Sequence, residues 1–276
     1  MLRLLNIELQ KLLLNKTSKV LIIISFILPF FVILLSSFKI NFFGLFTIEL
    51  GEYGIFNFPL IWHITTFFAA FFKIFFAIVV VSMIGNEYSY KTLKQNLIDG
   101  LSKKEFILSK FYTIAFFSLV STVLIFLITI CIGFYYSSID EFSIVIRGTE
   151  FILAYFVKLL GFFSFCLFLG MLLRKSAFAL AFLFIEYLLE WFIFWGAYQA
   201  FDNSTEKADM VKGFLPLESM YNLINQPIQR AIMMYSPDKV DFSYDYAVHW
   251  YEILIVLAWT AIFIFSSYKL LEKRDL

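Results

Sequence analysis

Residues Phe111 to Tyr135 contain no charged side chain, and several other stretches come close to that over a similar length. A helix rises 1.5 Å per residue, so about 20 apolar residues cross the hydrocarbon of a bilayer. Solid runs of this kind exclude a β-barrel, whose spans are shorter and alternate apolar with polar residues. The rest of the composition agrees, with 61% of the 276 residues hydrophobic, 38 of them phenylalanine, and only 16% charged. The expected fold class is an all-α polytopic membrane protein.

Six spans are expected, at about 18–37, 60–84, 111–135, 151–173, 176–198 and 250–268. All belong to one transmembrane domain covering 1–276. Pro29 is expected to kink the first span. Residues 2–16 are too short and polar to span. Leu5, Leu9, Leu12 and Leu13 fall on one helical face, with Arg3, Asn6, Gln10 and Lys11 on the other, which predicts a helix lying flat in the interface. No small-residue cleavage site follows it, so a cleaved signal is not expected. Cys131 and Cys166 fall inside spans, where packing is the expected role rather than a disulfide or a metal site.

Charge asymmetry orients the chain. With both termini inside, 14 of the 22 Lys and Arg lie on the inner side and 6 outside, whereas 13 of the 21 Asp and Glu lie outside. The positive-inside bias therefore places both ends and residues 85–110 in the cytoplasm, and the long segment 199–249 outside. A net charge of +1 leaves no basic surface for nucleic acid.

Few residues suggest chemistry. No glycine-rich loop ends in Gly-Lys-Ser/Thr, so energy would come from an ion gradient or from a separate ATPase. His63 and His249 lack neighbouring ligands and read as interfacial residues; no catalytic group and no metal site is expected. Lys73 and Glu186 lie about 18 Å from the outer boundary, and Lys158 and Glu190 about 11 Å. Unpaired charges at such depth cost at least about 3 kcal/mol. The expectation is two pairs, Lys73 with Glu186 and Lys158 with Glu190, serving either as helix locks or as a polar pathway. In the outer segment, Leu217, Met220, Tyr221, Ile224, Ile228, Ile232 and Met233 recur at helical spacing behind Pro216 and Pro227, predicting short amphipathic helices that dip back into the outer leaflet. Asp238, Asp241 and Asp245 are expected to form a solvated face rather than a cation site.

Residues 85–110 form the longest polar interruption in the first half, with Lys91, Lys94, Lys103, Lys104 and Lys110 set against Glu87, Asp99 and Glu105. Glu87, Lys91-Thr92-Leu93, Leu97, Leu101-Ser102-Lys103, Phe106-Ile107 and Lys110 resemble a pattern in the permease subunits of ABC type-2 exporters. Here Lys103 stands where Arg is usual, and Asp99-Gly100 replaces a common Pro. The order of interfacial helix, six spans and re-entrant outer helices is similar to that family along the whole chain.

The resemblance implies a coupling helix from Tyr88 to Asp99 that sits in a groove of an ATPase. Glu87, Tyr88, Lys91, Thr92, Leu93, Leu97 and Lys103 would form the ATPase interface, with Leu93 and Leu97 as apolar anchors. It further implies two ATPase subunits carrying ATP and Mg, no cofactor on this chain, and a second permease copy, identical or related. Cargo would be lipid-like, amphipathic or peptide, exported across a bacterial inner membrane. Two rivals stand beside this reading: a gradient-driven carrier using Lys73, Lys158, Glu186 and Glu190, and a non-transporting immunity or tethering module.

Overall fold

The computed structural model describes residues 2–38, 40–42, 46–48, 54–137, 141–228, 230 and 245–274. Its elements are almost entirely helical. In chain order they are α1 (Leu2–Leu14), α2 (Lys16–Ser36), α3 (Leu60–Phe71), α4 (Lys73–Ser89), α5 (Thr92–Ile98), α6 (Lys103–Tyr136), α7 (Phe142–Ile146), α8 (Glu150–Leu173), α9 (Ser176–Ala200), α10 (Thr205–Lys212), α11 (Pro216–Asn222) and α12 (Trp250–Glu272). Between α2 and α3, strands β1 (Ile40–Phe42) and β2 (Phe46–Ile48) pair antiparallel, with Asn41 opposite Thr47.

Helices α2, α6, α8, α9 and α12 are each long and apolar enough to cross a membrane, and α3 with α4 makes a sixth candidate bent by 42°. The bend falls at Phe72, whose N–H reaches back to Ala69 at i−3. The regular ladder lapses just before Lys73, inside what the sequence predicts as one continuous span. Pro29, by contrast, lies buried inside an unbroken α2.

Helix α8 runs through the middle. Apolar on all sides, it is buried along most of its length and packs against α3, α4, α6, α9 and α12, as a helix with no polar face must. Helices α9 and α12 flank it and, like α2 on the outside of α4 and α6, expose most of their apolar surface, including Phe184 at 67% and Phe265 at 61%. Lipid tails are as apolar as these side chains, so helix association in a bilayer depends on close packing. Gly161 of α8 supplies it: a Cβ there would stand 2.7 Å from Val256 Cγ1 on α12. Cys166 is buried in α8, whereas Cys131 is exposed on α6.

Two side chains fasten the end away from α5. Trp62 Nε1 donates to Val145 O at 2.8 Å. His63, fully buried, stacks on Phe151 at 4.2 Å and bonds through Nε2 to Asn225 O at 2.7 Å, while Arg230 approaches its Nδ1 at 3.3 Å. His63 is thus a core tether, where the sequence suggested an interfacial residue. Asp238, Asp241, Ile232 and Met233 lie outside the described residues.

Candidate functional site

The polar segment resolves into a short helix held by a buried ionic cluster. Helix α4 ends at Ser89, and Lys91 takes a left-handed backbone (φ 57°) that turns the chain into α5. Gly100, at φ 97°, then reverses it. Ser102 opens α6 with a capping box, its hydroxyl accepting from Glu105 N while the Glu105 carboxylate accepts from Ser102 N. This cap starts α6 at Lys103, ahead of the apolar run on which the span was read.

Glu87, 4% exposed, organises the site. Its Oε1 accepts from Lys110 Nζ at 2.8 Å and from Lys11 Nζ at 3.0 Å; its Oε2 accepts from Thr92 Oγ1 at 2.5 Å and from Asn96 Nδ2 at 3.2 Å. Lys110, fully buried, also donates to Glu8 at 2.5 Å. Two carboxylates and two ammonium groups from α1, α4 and α6 therefore balance, and α5 attaches through Thr92 and Asn96. Burial opposes the charge of Lys11, but Glu8 and Glu87 outweigh it and hold its ammonium above the ordinary lysine value of 10.5. Buried charges of this kind are tolerated only when each is paired and hydrogen-bonded, as these are.

The residues expected at an ATPase interface separate into distinct roles. Leu93 is 2% exposed and belongs to the bundle's own core, so it anchors α5 inward and does not offer itself to a partner. Leu97 is partly buried. Tyr88 accepts from Arg274 Nη1 at 2.8 Å, and Lys103 donates to the carbonyls of Glu272 and Arg274, both at 3.1 Å. Both are thus engaged with the end of the chain. The same Arg274 guanidinium reaches Met171 O at 2.6 Å, closing the end of α8. Lys91 and Thr92 are exposed, and so are Tyr90 at 74% and Ile98 at 70%, neither of which the sequence reading singled out. Glu8 was also missed, although its signal was present: it lies between Leu5 and Leu12 on the apolar stripe of α1. Leu13, assigned to that stripe, is 54% exposed.

The four intramembrane charges are described, and neither expected pair forms an ion pair. Instead α11 lies between Lys158 and Glu190. Glu190, 3% exposed, accepts from Leu217 N at 2.7 Å and Glu218 N at 2.9 Å, the first free N–H groups of α11. The residue before α11, Leu215, has no side-chain acceptor, so a carboxylate from α9 serves as the cap. At the other end Lys158 donates to Tyr221 O and Ile224 O, both at 3.4 Å. An anion at a helix N-terminus and a cation at its C-terminus are each favourable, because the peptide dipoles add along the axis.

Among the described residues Glu186 makes no ion pair, and Lys73 sits with its ammonium 4.3 Å above the Phe162 ring. A desolvated cation–π contact contributes about 2 kcal/mol. That falls short of the ~3 kcal/mol or more that a charge at this depth costs.

An apolar helical bundle with a short charge-clamped helix at one end and a capped helix tucked between spans at the other is the build of a multi-pass membrane protein. The chain belongs to the ABC-2 family transporter proteins, whose family profile matches residues 5–276. It is accordingly a membrane subunit of an ABC transporter, and membership implies association with ABC ATPase partners. Neither a curated protein nor a solved structure matches it.

Proposed function

We propose that this chain is the permease half of an ATP-driven exporter, with α5 receiving the stroke of a separate ATPase that binds ATP and Mg. The observation that carries this reading is Glu87. Through Thr92 and Asn96 it holds α5, and through Lys11 and Lys110 it holds α1 and the base of α6. A push on α5 therefore reaches two other helices through charge-assisted bonds rather than a slack loop. The exposed Tyr90, Lys91, Lys94 and Ile98 supply the docking surface, with Ile98 and Tyr90 as apolar anchors.

The positive-inside distribution supports placing α5 and both termini in the cytoplasm, and the family supports a bacterial inner membrane as the site. Two copies, identical or related, with two ATPases would form the working unit, and cargo of lipid-like, amphipathic or peptide character would move outward between them. A proton relay through the intramembrane charges gains no support, since Lys158 and Glu190 are spent on the ends of α11. The test is a photo-cross-linker at Ile98 in native membranes. Capture of a nucleotide-binding subunit is expected; labelling of Ile98 from outside the cell would end the proposal.

A further inference from the structure

Lys73 opens onto a cleft of 580 Å³ whose walls include Phe162, Leu183, Phe184, Tyr187 and Tyr221. That volume is in the range of sites that enclose small ligands. Three cations stand at or beside it, in different states. Lys212 is paired with Glu218 at 2.7 Å. Lys158 is already bonded to two carbonyls. Lys73, among the described residues, has no carboxylate within ion-pair distance, Glu186 included, and its ammonium rests on the Phe162 ring. The cleft thus holds an uncompensated positive charge between greasy walls at membrane depth. A free small anion has no reason to descend there, but an anionic head attached to an apolar tail meets both features at once.

We propose that this cleft binds the anionic head of a membrane amphiphile on Lys73, with its tail along Phe162, Leu183 and Phe184. This names the cargo class of the exporter reading and rests on that reading for its transport meaning, though not for binding itself. The test uses the full chain in phosphatidylcholine nanodiscs without any ATPase, so its outcome is separate from that of docking at α5. Radiolabelled dodecyl phosphate is the probe, compared with dodecyltrimethylammonium.

Saturable binding of dodecyl phosphate is expected, at least about tenfold tighter than that of the ammonium compound. Lys73→Met should lose about that factor, as expected when a charge-assisted bond is removed, and Lys73→Arg should keep it. Lys73→Glu should reverse the order of preference, a gain that misfolding does not mimic. Equal affinity of the wild-type protein for both heads would overturn the proposal, as would wild-type binding of dodecyl phosphate by Lys73→Met.

Discussion

Glu190 and Lys158 grip opposite ends of one short helix: the carboxylate takes the N–H groups of Leu217 and Glu218, and the ammonium meets the carbonyls of Tyr221 and Ile224. Their attraction passes through the dipole of α11 and so has a direction. A direct ion pair tolerates exchange of its partners, whereas this arrangement does not. The swap Lys158→Glu with Glu190→Lys should be less stable than either Lys158→Met or Glu190→Gln, since it opposes the dipole at both ends. Thermal unfolding in detergent reads the order directly, and a swap that restores wild-type melting would refute the clamp.

Lys110 stands between Glu8 and Glu87 with no exposure to solvent. Lys110→Met should destabilise the protein by about 3–5 kcal/mol, because it leaves two buried carboxylates facing each other. Adding Glu8→Gln should recover a large part of that loss by restoring the balance between Glu87 and Lys11. A double-mutant cycle in unfolding free energy measures the recovery.

The crossing of α8 and α12 depends on Gly161. Alanine there should cost about 1–3 kcal/mol through overpacking against Val256, and Val256→Ala should relieve it. Melting temperatures of the two single variants and the double variant decide the matter.

Substitutions on the two faces of α5 should separate coupling from folding. Ile98→Asp, on the exposed face, should leave the melting temperature unchanged while weakening ATPase association at least about tenfold, as removal of an interface anchor does. Leu93→Asp should instead lower stability, since it buries a charge within the bundle. Pull-down yield plotted against melting temperature distinguishes the two.

The spans were legible because burial in lipid leaves a plain signature: a run such as Phe111 to Tyr135 has one physical destination. Opposite charges at matching depth predict that Lys158 and Glu190 pair with each other, but both bond the backbone of α11, and no count of opposite charges reveals a dipole. Glu8 was readable in principle, as an acid on an apolar stripe. The break at Phe72 was not, because neither Pro nor Gly marks it. Leu93 shows the remaining limit. A leucine on a seven-residue helix looks the same in sequence whether it faces inward or outward.

Helix α6 has 34 residues. At 1.5 Å each it is a rod of about 51 Å, well over the thickness of the hydrocarbon layer. With Lys110 pinning its lower part, a tilt of about 5° at the base carries the far tip sideways by about 4 Å. A displacement too small to disturb the ionic knot thus becomes, one membrane away, the width of an alkyl chain.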